Sequence, residues 1–179
     1  MKINLTQNKN FKLFKIISKV AQENNQTVYI VGGYVRDLLM QRKAPTDIDF
    51  VTEQSGIELA KAVGKELGNL KVSVFKTYGT AMIKYKDLDL EFVGARKESY
   101  SEDSRKPAVE TGTLEDDQKR RDFTVNALAI SLNAENFGEL IDPFNGREDM
   151  QNKILRTPLE PAQTYSDDPL RMMRAIRFA

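Results

Sequence analysis

Two short segments with alternating apolar and acidic residues constrain the fold of this 179-residue chain most strongly. They are residues 47–51 (DIDFV) and 88–93 (LDLEFV). Successive side chains of a β-strand point to opposite faces, so each segment predicts a strand whose apolar residues lie in a core. The acidic residues of each segment would then share the opposite face of the sheet.

The acidic face of these strands suggests a metal site. Asp47 and Asp49 point the same way in a strand, and carboxylates that lie close together repel unless a cation lies between them. Mg²⁺ prefers a few carboxylates together with phosphates and water. Two such ions can clamp the oxygens exchanged in nucleotidyl transfer. The alternative is a solvated strand face for Asp47 and Asp49, and equally for Asp89 and Glu91.

Gly32 and Gly33 separate a predicted buried strand, residues 28–31, from a helix predicted over residues 34–40. Glycines allow a phosphate chain to approach the backbone, and a helix start offers free N–H groups. Arg36 adds a cation one turn into the helix. The segment matches neither the P-loop pattern nor the dinucleotide-binding pattern, and an ordinary tight turn is the alternative.

Two arginine-rich segments follow later in the chain. Residues 120–127 contain Arg120 and Arg121 followed by Asn126. Guanidinium groups bind phosphate oxygens in a bidentate manner, and Asn126 could hold a ribose hydroxyl or brace a loop. A second segment, residues 168–177, has charged residues at every third position. The alternatives are a solvated charge run for the first segment and a salt-bridged helix for the second. The spaced residues of the second segment are Asp168, Arg171, Arg174 and Arg177.

The composition excludes several classes of chemistry. The chain has neither histidine nor cysteine, which excludes histidine acid–base catalysis, Ser-His-Asp triads, histidine-ligated zinc and disulfides. Lys and Arg number 27 against 26 Asp and Glu, so bulk charge does not indicate a nucleic-acid partner. The sequence lacks a membrane-spanning run and a signal peptide, and we expect a cytoplasmic protein without a membrane partner.

The remaining elements follow from periodicity and capping residues. A change in composition toward Lys, Glu, Ser, Pro and Gly predicts a mobile loop over residues 96–113. Helices are predicted over residues 10–24, 55–67 with Ser55 as N-cap and Gly68 as stop, 114–123, and from Asp168 as N-cap with Pro169 in the first turn. Strands are predicted at 72–75 and 81–85, in a hairpin around Tyr78-Gly79, followed by an apolar stretch at 127–132 and a turn at 142–146. The last helix is still running at Ala179, which suggests a fragment of a longer protein.

The order of these motifs resembles that of a known family. Residues 31–39 followed by 47–50 resemble the first motif of the class II tRNA nucleotidyltransferase/poly(A) polymerase family, which contains the CCA-adding enzymes and bacterial poly(A) polymerases. Residues 120–127 resemble its second motif. Residues 168–178 resemble its third motif, at the junction of head and neck. The similarity covers approximately residues 28 to 179.

The resemblance implies an α/β (α+β) fold with a polymerase-β-like head, in which a small mixed β-sheet is flanked by helices. It implies a head over residues 1–150, and a junction with the first helix of a neck over residues 151–179. Asp47 and Asp49 would bind Mg²⁺, with Glu91 as the third catalytic carboxylate. Arg96 would open the flexible loop of the family. The residues expected to contact the nucleotide are Gly32, Gly33, Arg36, Arg121, Asn126, Asp168, Arg171, Arg174 and Arg177.

The family's activity is the template-independent addition of CMP and AMP, from CTP and ATP, to the 3′ end of tRNA. Pyrophosphate is released. Poly(A) synthesis, A-only addition and CC-only addition stay open, because the E-D-x-x-R motif that selects the base is absent from the sequence. A non-catalytic nucleotide- or RNA-binding module is the alternative from another class. The near-neutral charge suggests that most tRNA binding lies outside these residues.

Overall fold

The computed structural model describes residues 1–43, 45–101 and 104–179, with the backbone only for 97–101 and 104–110. Its helices are α1 (Phe11–Glu23), α2 (Gly33–Leu39), α3 (Gly56–Glu66), α4 (Leu114–Lys119), α5 (Gly146–Asn152), α6 (Pro161–Asp167) and α7 (Leu170–Phe178). Its strands are β1 (Tyr29–Val31), β2 (Asp47–Thr52), β3 (Val72–Phe75), β4 (Thr80–Tyr85), β5 (Leu88–Gly94), β6 (Arg96–Ser101), β7 (Ser104–Thr111), β8 (Ala129–Ser131) and β9 (Leu140–Ile141). The longest of these helices has 13 residues, and no described helix combines the length and apolarity needed to cross a membrane.

Seven strands of the described chain form one mixed sheet in the order β3-β4-β5-β2-β1-β8-β9. The pairing of β2 with β5 is parallel, whereas the other neighbours in this sheet are antiparallel. The chain leaves β2 through α3, forms the β3–β4 hairpin, and returns as β5 beside β2. The two acidic strands therefore lie next to each other with the same direction.

The hydrophobic core lies on the sheet face that α1 and α3 cover. Phe14 and Ile17 of α1 and Leu59 of α3 are buried there against Phe50 and Phe92 of the sheet. The rings of Phe50 and Phe92 stack at 4.9 Å between centroids. On the other face, Leu114 of α4 packs over a small cluster on β1, β2 and β8. This second face carries the acidic residues.

The structure confirms the mixed α/β fold and the alternation on which it was predicted. Ile48, Phe50, Leu90 and Phe92 are fully buried, whereas the acidic residues between them are exposed or half-buried. The predicted cap of α3 is also present, because the backbone N–H of Glu58 donates to Ser55 Oγ at 3.2 Å. These local patterns are sufficient to predict the buried face of a strand and the cap of a helix, because each depends on a single element.

Two predictions are wrong in their secondary structure. Residues 96–113 were expected to form a loop, but β6 and β7 form an antiparallel two-stranded ribbon; residues 102 and 103 lie outside the described part. Strand pairing there comes from backbone hydrogen bonds, which a polar composition does not reveal. The helix expected over residues 114–123 ends at Lys119, and Phe123 is instead extended and buried.

Candidate active site

The carboxylates of β2 and β5 lie side by side. In the parallel register Asp49 is opposite Glu91, and Asp47 is opposite Asp89. Neighbouring strands lie about 4.8 Å apart, so these side chains leave the same face within reach of one small ligand. Asp47 is exposed, whereas Asp49 and Glu91 are half-buried. The pairing that the sequence could only suggest is thus set by the crossover through α3.

Burial and mutual repulsion make this acidic cluster unfavourable when it is charged. Burial raises the pKa of Asp49, and the neighbouring charge of Asp47 raises it further against the opposing effect of the Arg121 guanidinium. Burial likewise raises the pKa of Glu91, and the charge of Asp49 adds to this effect while Arg96 opposes it. A bound cation would relieve both effects.

The donor set fits a hard divalent cation that also binds the substrate. Within residues 1–43, 45–101 and 104–179, no group of three or more acidic side chains is arranged to hold a metal ion by itself. Mg²⁺ is usually held by one or two carboxylates and completes its coordination with phosphate oxygens and water. Asp47, Asp49 and Glu91 supply oxygen donors of this kind beside an arginine-lined cleft.

Gly32 brings the backbone close to the acidic strand. It directly follows β1 and has φ +72° and ψ −139°, a conformation that side chains strongly disfavour. A Cβ atom at this position would lie 3.0 Å from Arg121 Nη1 and 3.6 Å from Asp49 Oδ2. The missing side chain therefore leaves a space between a carboxylate and a guanidinium, where a phosphate can approach the backbone.

Asp117 of α4 holds in place the two arginines that directly follow this helix, Arg120 and Arg121. The side chain is fully buried, and Arg121 donates to Asp117 Oδ2 from Nε at 2.9 Å and approaches it with Nη2 at 2.8 Å. Arg120 Nη2 binds the other oxygen of Asp117. Burial alone would raise the pKa of Asp117, but Arg121 and Arg120 outweigh it and the pKa is lowered. The sequence analysis missed this residue, although its spacing of three and four residues from the arginines is typical of helical ion pairs.

A chain of polar contacts joins α2 to the last helix. Arg36 Nη1 donates to Asn126 Oδ1 at 2.7 Å, and Asn126 Nδ2 donates to Asp122 Oδ1 at 3.0 Å. Arg174 Nε donates to the other oxygen of Asp122 at 2.7 Å. The guanidinium groups of Arg36 and Arg174 both lie over the ring of Phe178, at 5.1 and 5.6 Å from its centroid. Asp122 and Phe178 were not among the predicted site residues, and they connect Asn126 to α7.

The start of α7 lies beside the arginines that follow α4. Asp168 Oδ1 accepts a hydrogen bond from the backbone N–H of Leu170 at 3.0 Å, but α7 begins one residue later than predicted, so Pro169 rather than Asp168 is its N-cap. Arg171 Nη2 donates to the carbonyl oxygen of Arg120 at 2.7 Å. Arg177 is exposed and does not line the cleft that Arg171 and Arg174 border, so its role in nucleotide binding stays a prediction.

These elements enclose a cleft of about 390 Å³. Five arginines and three aspartates line it, which gives a positively charged wall with one carboxylate of the acidic strand at its edge. Asp47 and Glu91 adjoin Asp49 on the sheet but are not part of the lining. The lining residues are Gly32, Gly33, Arg36, Asp49, Arg120, Arg121, Asp122, Asn126, Asp168, Arg171 and Arg174.

Comparison with known proteins finds a matching family model and similar proteins. Residues 28–156 match the family model described as "Poly A polymerase head domain". An A-adding tRNA nucleotidyltransferase of Aquifex aeolicus is 46% identical over 151 residues, which are 84% of this chain and 18% of that protein. Another, from Halalkalibacterium halodurans, is 36% identical over 173 residues, which are 96% of this chain and 39% of that protein.

A solved structure is also similar to this chain, that of a tRNA nucleotidyltransferase complexed with a primer tRNA and an incoming ATP analogue. It matches with a TM-score of 0.79 and 42% identity over 91% of this chain and 44% of that one. The present chain therefore spans less than half the length of these relatives.

Proposed function

The chain belongs to the poly(A) polymerase head domain family, and from that premise we propose that it forms the catalytic head of a template-independent tRNA nucleotidyltransferase. The reaction would add CMP and AMP, from CTP and ATP, to the 3′ end of tRNA with release of pyrophosphate. One observation carries the proposal: Asp49 lies in register with Glu91 at the edge of an arginine-lined cleft. The relatives named above act on tRNA, which supports this substrate.

Asp47 and Asp49, with Glu91 as the third carboxylate, would hold Mg²⁺. Bound there, the ions would supply activation of the attacking RNA hydroxyl and neutralisation of the triphosphate. The chain has no histidine, so a carboxylate of this face, with or without the ions, would assist removal of the hydroxyl proton.

The cleft residues would bind and orient the nucleotide. The triphosphate would lie along Gly32 and Gly33, where no side chain intervenes, with Arg36 and Arg121 as its cations. Arg121 is well suited to this because Asp117 fixes its orientation before substrate binds. Asn126 would contact the ribose. Arg171 and Arg174, with Asp168, would close the cleft from the side of α7, and Arg177 is a further candidate contact.

The contacts of α5 bear on the boundary between the head and the neck of the chain. We propose a head over residues 1–150 and the start of a neck over residues 151–179. Helix α5 crosses this boundary, and its buried Asp149 accepts a hydrogen bond from Thr124 Oγ1 at 2.7 Å. Beyond residue 150, Arg156 Nε donates to the same Asp149 at 3.2 Å, so this segment is tied to the head by a side-chain contact.

The proposal is tested by incorporation of labelled CTP and ATP into a tRNA transcript that lacks its 3′-terminal CCA. We expect Mg²⁺-dependent incorporation by the full-length protein, and a loss of a thousandfold or more in Asp47→Ala and Asp49→Ala with unchanged circular dichroism. Asp87→Ala is the matched control, because Asp87 is an exposed acid in the turn between β4 and β5. Near-normal incorporation by either catalytic variant would refute the metal assignment.

Two kinds of alternative are separated by the same assay. A non-catalytic nucleotide- or RNA-binding module would bind ATP but incorporate nothing at any metal concentration. Poly(A) synthesis would give long adenosine tails, and A-only or CC-only addition would give products that stop after the corresponding nucleotides. Sequencing of the product ends therefore decides among the enzymatic alternatives.

A further inference from the structure

Asp49 lies between two halves of its sheet face. Leu114 of α4 covers one half; the other is formed by β5, β4 and β3, and we call it the open half because Ser73 and Phe75 of its edge strand are exposed, although Thr80 is buried beside Arg96. On one side of Asp49 lie Val31 of β1 and Ala129 of β8, which are buried beneath Leu114 of α4. The nucleotide cleft stands on this covered side, with Gly32 and Arg121 at its wall. On the other side of Asp49 lie β5, β4 and the edge strand β3.

The strand register places specific side chains on the open half. Directly paired residues of neighbouring strands point to the same face. The row of Asp49 and Glu91 therefore continues through Met82 of β4 to Ser73 of β3. The adjacent row continues from Val51 and Val93 through Thr80 to Phe75. Phe75 thus lies on the catalytic face of the sheet, at its edge.

The edge is aromatic, exposed and basic. Phe75 is 45% exposed, and Tyr78, in the turn that follows β3, is 64% exposed. Residues 70–78 include Lys71 and Lys76, both exposed, and no acidic residue. Exposed aromatic rings beside cations are the combination on which single-stranded nucleic acids stack their bases and hold their phosphates.

The chemistry of the reaction indicates that the 3′ end of the acceptor RNA approaches the carboxylates from this edge. In a phosphoryl or nucleotidyl displacement the attacking and leaving oxygens lie roughly in line on opposite sides of the phosphorus. If the triphosphate occupies the cleft on the covered side, the attacking hydroxyl must come from the open half. Two strand spacings, about 10 Å, separate the row position of Glu91 from β3. The last nucleotides of an acceptor strand can span this distance.

We propose that Phe75, Lys76 and Tyr78 form an acceptor strip that binds the 3′-terminal nucleotides of the RNA by stacking and phosphate contact. The proposal rests on the proposed function and adds residues that neither the motifs nor the cleft includes. The strip positions the RNA end for attack and takes no part in binding the incoming nucleotide.

Steady-state kinetics of the full-length protein test the strip with a tRNA transcript that lacks its terminal adenosine and with labelled ATP. Phe75→Ala and Tyr78→Ala should each raise the KM for the transcript about fivefold or more, because one stacking contact is lost. The KM for ATP and the melting temperature should stay unchanged, and Phe75→Tyr should restore the KM for RNA. Val74→Ala is the matched control, since Val74 is on the same strand but on the opposite face.

The possible kinetic results distinguish failure of the acceptor strip from failure of the proposed function. An unchanged KM for RNA in both alanine variants, with wild-type incorporation intact, would overturn the strip and leave the proposed function standing. A rise in the KM for ATP instead of RNA would also overturn it. Unchanged RNA kinetics together with an altered sedimentation of the free protein would assign the edge to pairing between two copies. No incorporation by the wild type would defeat the proposed function itself.

Discussion

Asp117→Asn tests the idea that one buried carboxylate organises the arginine wall. The substitution keeps the shape of the side chain but removes its charge, so Arg120 and Arg121 lose their shared anion. Removing one partner of a buried ion pair costs about 3–5 kcal/mol. The side chains of Arg121 and Arg120 are 19% and 32% exposed and can turn toward water, so we take the lower end, about 3 kcal/mol. For a chain of this size that loss lowers Tm by about 6–12 °C.

The pH dependence gives this prediction a second measurement. The pKa of Asp117 is lowered in the folded protein, so its stabilising contribution is complete above the ordinary value of 3.8. The contribution is lost as the pH falls through the lowered pKa. Thermal melts followed by circular dichroism should therefore show the full difference between wild type and variant at neutral pH, and a smaller one below about pH 4.

Glu115→Gln is the matched control on the same helix. Glu115 forms an exposed ion pair with Lys119 at 2.7 Å, and exposed pairs contribute little to stability. We expect no measurable shift in Tm for this variant. A Tm for Asp117→Asn that equals the control at neutral pH, or a difference that persists unchanged in acid, would refute the role assigned to Asp117.

Three further substitutions probe the cleft and its support. Gly32→Ala introduces a Cβ 3.0 Å from Arg121 Nη1 at φ +72°, so we expect a loss of about 1–3 kcal/mol in melts and a higher KM for ATP; wild-type values for both would contradict the close approach. Gly146→Ala places a Cβ in the space that the carbonyl oxygen of Thr124 occupies, so we expect a loss of about 1–3 kcal/mol in melts, and a wild-type Tm would contradict this close packing. Arg174→Ala removes the 2.7 Å bond to Asp122 from a half-exposed side chain; the KM for ATP should rise severalfold with little change in Tm, and an unchanged KM would exclude Arg174 from the site.

The parts that could be predicted from sequence are those in which the residue pattern of a single helix or strand indicates its bounds and its buried face. Asp47 and Asp49 alternate with apolar residues, and this pattern predicts both a strand and the face of its acids. Gly32 could be identified because only Gly32 and Gly33 lie between a predicted buried strand and a predicted helix. Ser55 could be identified as a cap because its position before an amphipathic segment is sufficient.

The parts that could not be predicted depend on contacts between distant elements. The pairing of Asp49 with Glu91 requires the crossover through α3, which has no local sequence pattern. Phe123 interrupts the expected helix because its ring packs edge-on against Phe178, at 5.8 Å between centroids. Asp117 looks like one acid among several in a polar helix until the fold buries it. In each case tertiary packing decides what local propensity leaves open.

The parallel pairing of β2 and β5 also determines where the chain tolerates inserted residues and where it does not. A single inserted residue within either strand would rotate one acid into the hydrophobic core and break the pair. The segment that connects the two strands has no such restriction at the exposed turn after α3, provided that Gly68 is kept, because its φ of +103° disfavours any side chain. A short peptide tag or a fluorophore attached at that turn would therefore report on the protein during turnover without altering the distance between the acids.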